Sequence, residues 1–131
     1  MRLLLDTNAF LWSLEGSRKL GRKVAALITS PASEIWISAA TIWEIANKAA
    51  IGRLRLRRLP SSLLPRELER NDFRPLPITV EHALAAAGLP RHHEDPFDRM
   101  LIAQAQIEDL KVMTADRRFE SYDVELVDAT E

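Results

Sequence analysis

Short apolar segments alternate with longer helical segments along this chain, and that alternation limits the folds available to it. Segments such as Arg2–Leu5 and Glu34–Ser38 are rich in large apolar residues, whereas the stretches between them carry apolar residues every three or four positions. Strands separated by helices of about ten residues form βαβ units with parallel strands. The sequence therefore predicts an α/β protein with a mainly parallel sheet and helices on both faces.

The boundaries of these elements follow from caps and breakers. Ser38, Thr79 and Asp95 are favoured at helix starts, and Gly52 is typical just beyond a helix end. Segment 73–79 holds two prolines, so if it is a strand it lies at a sheet edge, because proline cannot donate a ladder hydrogen bond. The predicted strands are 2–5, 34–38, 73–79, 111–114 and 123–127, and the predicted helices are 7–14, 17–29, 39 to about 51, 60–71, 80–87 and 96 to about 110.

The composition fits one domain with a substantial core. The chain has 131 residues, of which 47% are apolar, so residues 1–131 are predicted to form a single domain. There is no Cys, which excludes disulfides and thiolate metal sites. No apolar run approaches the ~20 residues that cross a bilayer, and the short apolar start contains Asp6, unlike a signal peptide. A cytoplasmic protein is expected.

Many nucleic-acid-binding proteins are strongly basic, and the formal net charge of −1 does not support that class for this chain. The charge is unevenly distributed, however, because residues 53–74 hold seven Arg against three acids. A solvated helix-and-loop face is the simpler interpretation of this segment. The alternative is a nucleic-acid contact, for which the candidates are Arg55, Arg57 and Arg58.

Asp6 and Glu44 are the first two of four acids in unusual positions. Asp6 directly follows the first predicted strand, where it either caps the next helix or faces a site at the carboxyl end of the sheet. Glu44 shares a narrow polar stripe with Thr41 and Lys48 on a helix that is otherwise apolar and therefore predicted to be largely buried. Glu44 either pairs with Lys48 at i,i+4, worth ~0.2–0.5 kcal/mol, or faces an internal polar pocket.

The other two acids are Asp98 and Asp116. Asp95 followed by Pro is a favoured helix start, so capping is the leading role of Asp95. Asp98 occupies the third helical position, where an acid completes a capping box, but it lies on the side that leans toward the sheet. Asp116 follows strand 111–114 either as a turn or cap residue or as a second strand-end acid.

These acids are expected to converge, because the carboxyl ends of parallel strands share one edge. Two like charges ~4 Å apart repel by about 4 kcal/mol at an effective dielectric near 20, so several carboxylates in one pocket need a cation. Mg²⁺ prefers oxygen ligands, whereas zinc would require Cys or paired His. His92 and His93 are predicted at the surface of a loop, with a metal or substrate role as the alternative, and His82 on a helix surface.

Four segments resemble the PIN domain, and more narrowly the VapC-type ribonuclease toxins of bacterial toxin–antitoxin pairs: LLLDTNAFLW, ISAATIWEIANKAAIGRL, HHEDPFDRMLIAQA and VMTADRRFESYDVELV. The resemblance extends from Arg2 to about Val127. It implies a three-layer α/β/α sandwich with a central parallel sheet, a homodimer, and a small antitoxin whose tail blocks the pocket. It also implies an acidic metal site of Asp6, Glu44, Asp98 and Asp116, with Asn8, Ser38 and Thr114 as polar neighbours and Asp95 as a cap or supporting acid.

The activity expected from this resemblance is hydrolysis of RNA with Mg²⁺ or Mn²⁺ as cofactor, leaving 5′-phosphate and 3′-hydroxyl ends. Residues 53–74 would then meet either the RNA or the antitoxin. One alternative is a non-catalytic PIN-like module that binds RNA or protein. The other is a phosphatase-type α/β domain, which would need a Lys at a strand end, whereas Lys111 precedes its apolar segment.

Overall fold

The computed structural model describes residues 1–52 and 60–131, so Arg55, Arg57 and Arg58, the candidate nucleic-acid contacts, lie outside the described residues. The strands are β1 (Arg2–Leu5), β2 (Glu34–Ser38), β3 (Arg74–Leu76), β4 (Lys111–Thr114) and β5 (Leu126–Asp128). The α-helices are α1 (Thr7–Glu15), α2 (Arg22–Thr29), α3 (Ala39–Ala50), α4 (Leu64–Arg70), α5 (Val80–Gly88) and α6 (Pro96–Glu108), and 3₁₀ turns cover Ser61–Leu63 and Arg117–Ser121.

The described strands form one sheet in the order β3-β2-β1-β4-β5, and every neighbouring pair is parallel. This confirms the predicted parallel sheet and the edge position of the proline-containing strand β3. Since all strands run the same way, their carboxyl ends lie along one edge of the sheet. Asp6, Ser38 and Thr114 stand at the ends of the three central strands, which places three polar side chains along that edge.

The core is divided by the sheet into two layers, because successive residues of a strand point to opposite faces. Leu3 and Leu5 of β1 pack into a cluster with side chains of α1, α2, α3 and α4. Leu4, between them, packs into a second cluster with side chains of α6. The three-layer α/β/α sandwich with a central parallel sheet is confirmed.

The second helix begins later than predicted, at Arg22 instead of residue 17. The cause is a contact made by Gly21, whose N–H donates to the Ala129 carbonyl at 2.9 Å. A Cβ at position 21 would lie 2.1 Å from the carbonyl carbon of Glu131, so only glycine permits this approach. The predicted helix 60–71 is likewise divided into the 3₁₀ turn Ser61–Leu63 and α4.

Helix α3 is less buried than its composition predicted. Trp43 is 60% exposed, and Ile51 just beyond the helix is also exposed, so one apolar side of α3 faces outward. The expectation of a largely buried helix was wrong because only the side carrying Thr41, Glu44 and Ile45 is covered. Among the described helices, none is both long and apolar enough to cross a membrane.

Candidate active site

All four acids singled out in the sequence line one cavity of about 210 Å³ beyond the carboxyl ends of β1 and β4. The acids reach this cavity from four separate segments of the chain: the end of β1, the middle of α3, the first turn of α6 and the loop after β4. The described residues around the cavity are Asp6, Thr7, Asn8, Leu11, Glu44, Lys48, Asp95, Asp98, Asp116 and Arg118.

Asp6 combines both roles considered for it. Its Oδ1 accepts a hydrogen bond from the Ala9 N–H at 2.8 Å, which caps α1, and its Oδ2 accepts one from the Thr114 hydroxyl at 2.6 Å. Burial raises the pKa of Asp6, and the nearby carboxylates of Asp116 and Glu44 raise it further. Thr114 also accepts the Asp116 N–H at 3.0 Å, so one hydroxyl joins the acids that follow β1 and β4.

Glu44 also satisfies both interpretations. Its Oε2 accepts a hydrogen bond from Lys48 Nζ at 2.5 Å, the predicted i,i+4 pair, while the carboxylate itself is buried in the wall of the cavity. Its Oε1 accepts the hydroxyl of Thr7 at 2.6 Å, a contact that the sequence did not predict. Of the predicted polar neighbours, Asn8 lines the cavity, whereas Ser38 lies outside the cavity lining and caps α3 by accepting the Ala40 N–H at 3.0 Å.

Asp95 and Asp98 stand together at the start of α6. Asp95 caps the helix by accepting the N–H groups of Phe97 and Asp98 at 2.8 and 3.3 Å. Asp98 does not complete a capping box, because the Asp95 N–H donates instead to His93 Nδ1 at 3.2 Å. Burial raises the pKa of Asp98 to about 7, and the carboxylates of Asp95, Asp6, Glu44 and Asp116 contribute to that shift in this order.

Asp116 is held by Arg118, two residues further along the chain. It accepts the Arg118 N–H at 2.9 Å, as the predicted cap of the 3₁₀ turn, and pairs with the guanidinium at 2.8 Å. These contacts, chiefly the guanidinium hydrogen bond, lower the pKa of Asp116. Asp116 therefore carries its negative charge more readily than Asp98, although the two carboxylates share one cavity.

All three histidines were predicted at the surface, and the structure contradicts this prediction for His93 and His82. His93 is 1% exposed, and its Nε2 lies 2.9 Å from Asp98 Oδ2 and 3.5 Å from Asp116 Oδ2. His82 is also 1% exposed, and its Nε2 lies 2.9 Å from Glu108 Oε2. His92 is exposed as predicted. In the pair His92–His93, nothing in the local sequence tells which ring turns inward.

The donors around the cavity suit a hard divalent cation. The described lining carries five carboxylates against two cationic side chains, Lys48 and Arg118. Burial is the main cause of the raised pKa values of Asp6 and Asp98, and the surplus of negative charge adds to both shifts. Mg²⁺ and Mn²⁺ take oxygen ligands of this kind. His93, Asp98 and Asp116 each have one potential ligand atom here, and these three atoms lie within 4.8 Å of one another.

A larger groove of about 1200 Å³ runs along β2, β3 and α4. In its lining Arg74 lies 3.7 Å from Glu34, and among the described residues no three acids or histidines there lie close enough together to share a metal ion. Size alone therefore does not identify the reactive site, and the smaller acidic cavity holds the groups capable of chemistry.

A family model described as "PIN domain" matches residues 3–125. No curated protein matches the chain significantly. VapBC2 from Rickettsia felis bound to a promoter DNA fragment is 14% identical, with 97% and 98% of the two chains covered and a TM-score of 0.70. FitAcB from Neisseria gonorrhoeae is 25% identical, with 97% of each chain covered and a TM-score of 0.69. A toxin–antitoxin complex from Klebsiella pneumoniae is 20% identical, with 98% of each chain covered and a TM-score of 0.68.

Proposed function

The chain belongs to the PIN domain family, and from that premise we propose that it is a divalent-metal-dependent endoribonuclease, the toxin of a toxin–antitoxin pair. The observation that carries this proposal is the convergence of Asp6, Glu44, Asp98 and Asp116 on one cavity. A module that only binds RNA or protein would gain nothing from bringing four acids together. Their convergence is unfavourable for the charged form of Asp98, whose pKa is raised by burial and by the neighbouring carboxylates.

We propose that these four acids hold one or two Mg²⁺ or Mn²⁺ ions, directly or through water. A bound ion would supply charge neutralisation for the phosphate and a lowered pKa for the attacking water. Thr114 and Thr7 orient the carboxylates of Asp6 and Glu44 by donating to one oxygen of each. Asp95 maintains the first turn of α6, from which Asp98 projects.

Lys48 and Arg118 are suited to contact the RNA backbone. Both line the acidic cavity, both pair with one of its acids, and both have substantially exposed side chains. Phosphate contacts of this kind position a strand without reading its sequence. Arg55, Arg57 and Arg58 remain proposed as a further grip on RNA; their triple replacement by Gln should weaken RNA binding and flatten its salt dependence. Unchanged binding and salt dependence would return this segment to the solvated-face interpretation.

The partners proposed are an antitoxin protein and a second copy of the chain. Support for the antitoxin comes from the similarity in fold to a toxin–antitoxin complex. Support for the homodimer comes from α5, where Val80 and Leu84 are 79% and 71% exposed and lie one turn apart. Leu84→Glu should convert a dimer to a monomer in light scattering. The proposed action on cellular RNA agrees with the cytoplasmic location expected from the sequence.

The phosphatase-type alternative is not favoured by the position of Lys111, the lysine considered for it in the sequence. Lys111 lies at the amino end of β4, away from the acids, and its Nζ is 3.4 Å from Glu125 Oε2. A phosphatase of this type would also form an aspartyl-phosphate, which fluoroberyllate would trap. We expect no such trapping.

The deciding experiment incubates the purified protein with a panel of structured RNAs, with Mg²⁺, with Mn²⁺ and with a chelator. We expect cleavage only with metal, and products that carry 5′-phosphate and 3′-hydroxyl ends. Asp6→Asn should abolish cleavage while the protein stays folded, because it removes a ligand charge and keeps the shape. Cleavage in chelator, 2′,3′-cyclic phosphate ends, or wild-type activity of Asp6→Asn would each contradict the proposal.

A further inference from the structure

His93 is a buried side chain of the acidic cavity for which the proposed function has no use. Its ring lies within reach of Asp98 from α6 and of Asp116 from the loop after β4, at 2.9 and 3.5 Å from Nε2. Nε2 is not in line for a full hydrogen bond with any described group. A buried polar atom aimed at two carboxylates without such a bond indicates that the arrangement is completed by something else.

The contacts of the ring decide between a metal ligand and a hydrogen-bond donor. A histidine that binds a metal through Nε2 presents an unprotonated Nε2 and donates from Nδ1. In this structure Nδ1 is an acceptor, since the Asp95 N–H donates to it at 3.2 Å. The proton of the neutral ring therefore lies on Nε2, the atom that faces Asp98 and Asp116.

The loop that carries His93 is fixed by two buried side chains. Arg99 donates to four carbonyls, those of Ala86, Leu89 and Pro90 at 2.9 Å and that of His93 at 3.3 Å. Tyr122 holds the same loop from the other side. Its hydroxyl accepts the N–H groups of His92 and His93 at 3.1 and 2.8 Å and donates to the Pro90 carbonyl at 2.7 Å.

We infer that His93 is a positioning residue whose Nε2–H holds the facing oxygens of Asp98 and Asp116 at the spacing a shared cation requires, and that it does not bind the cation itself. The inference rests on the proposed metal-dependent function. A carboxylate that is held through one oxygen presents its other oxygen to a cation, and an N–H placed between Asp98 and Asp116 attracts the facing oxygen of each acid. Nε2, which is not aligned for a full hydrogen bond in this structure, would gain one if the Asp98 carboxylate were turned toward a bound cation.

The test compares Mn²⁺ affinity, by calorimetry, among wild type, His93→Asn, His93→Gln and the control His82→Gln. Asn supplies an acceptor near the position of Nδ1 but does not reach the acids, so binding should weaken by about 10- to 100-fold. Gln places an amide N–H near the position of Nε2 and should restore binding to within a few-fold. His82→Gln makes the same chemical change at an equally buried ring away from the cavity, and should leave affinity unchanged.

Pulsed electron paramagnetic resonance on Mn²⁺-loaded protein labelled with ¹⁵N-histidine tests the donor role directly in the wild type. We expect no coupling from a directly coordinated nitrogen. Such coupling, if it disappears in His93→Gln, would make His93 a ligand and overturn the inference, as would wild-type affinity in folded His93→Asn. Loss of affinity in His93→Gln as severe as in His93→Asn would also overturn it. A wild type that binds no Mn²⁺ at all would overturn the proposed function itself, and the inference with it.

Discussion

His82 and His93 lie in two regions of the molecule that share one local arrangement. Each ring is buried, each Nδ1 accepts a backbone N–H, at 3.0 Å from Thr79 and 3.2 Å from Asp95, and each Nε2 lies 2.9 Å from a carboxylate. Each stands near a helix start. The two histidines nevertheless have different roles.

The difference lies in what surrounds the carboxylate. Glu108 is 39% exposed at the far end of α6 and faces His82 as a single acid, so the pair fastens α5 to α6. Asp98 is 17% exposed and shares its cavity with four other acids, which raises its pKa to about 7. A single carboxylate that faces a histidine ring finds its hydrogen-bond partner in that ring. Several acids in one cavity leave a surplus of negative charge, to which a proton on Asp98 or the proposed cation would respond.

The sharpest test of this comparison replaces the carboxylate beside each histidine. Asp98→Asn should reduce RNA cleavage by at least ~100-fold, because it removes a charged ligand and keeps the fold. Glu108→Gln should leave cleavage within about twofold, as an isolated substitution near the surface usually does. Initial rates of cleavage with saturating Mg²⁺ measure both. Equal effects of the two substitutions would dissolve the distinction between the two regions.

The second test is the pH dependence of stability without metal. The pKa of Asp98 rises from 3.8 to about 7 on folding, so folding takes up a proton between these values. The contribution of Asp98 to the free energy of unfolding is fully present below pH ~4 and is lost as the pH rises through ~7. The loss is a few kcal/mol at most, at about 1.4 kcal/mol per pKa unit. Chemical unfolding at pH 5 and pH 8 should show the loss in wild type and in Glu108→Gln.

Asp98→Asn provides the matched comparison for this pH test. It should have a flatter stability profile than wild type and be more stable than wild type at pH 8, because the group that takes up the proton is gone. Added Mg²⁺ at pH 8 should stabilise wild type but not this variant. The lowered pKa of Asp116 acts only at lower pH, where its contribution is lost as the carboxylate becomes protonated. An unchanged profile in Asp98→Asn would assign the pH dependence to another group.

The third test removes the ring in the other region. His82→Leu should cost about 1–2 kcal/mol of unfolding free energy, because it removes the acceptor of the Thr79 N–H from a capping box and a contact with Glu108. Affinity for Mn²⁺ should stay at the wild-type value. Thermal unfolding and calorimetry on the same sample measure the two quantities. Weakened Mn²⁺ binding would show that the two regions are coupled.

The last test concerns the loop that holds His93, which has no counterpart beside His82. Tyr122→Phe removes a hydroxyl that makes three hydrogen bonds, and should cost about 1–2 kcal/mol of stability. It should also weaken Mn²⁺ binding by a few-fold, since His93 loses part of its support. Stability lost without any change in affinity would mean that Arg99 alone is sufficient to place the loop.

Much of the fold could be predicted because its signals are local. The bounds of β1, β2 and β4 agree with the prediction, and Ser38, Thr79 and Asp95 cap the helices as expected. The four acids could be predicted to meet because parallel strands end at one edge, and they line one cavity. Their roles in catalysis and metal binding remain predictions.

The rest depended on contacts between residues far apart in the chain. His93 is buried by partners such as Tyr122, 29 residues away, and His82 by Glu108, 26 residues away, so neither could be placed from neighbouring residues. The late start of α2 comes from the contact of Gly21 with residue 131. Helix α3 has an apolar side that stays largely exposed although Trp43 contacts Phe97, and composition cannot distinguish such a side from a buried one.

The hydroxyl of Thr114 meets Asp6 across 108 positions of sequence, and this order has a consequence during synthesis. A ribosome completes Asp6 and Glu44 early, but the opposite wall of the cavity exists only after β4 has been translated and has paired with β1. A product that terminates before Lys111 therefore lacks Asp116 and the strand that places it. Premature termination yields polypeptides without the assembled acidic cavity, so the proposed cleavage of RNA would arise only when translation of the domain is almost finished.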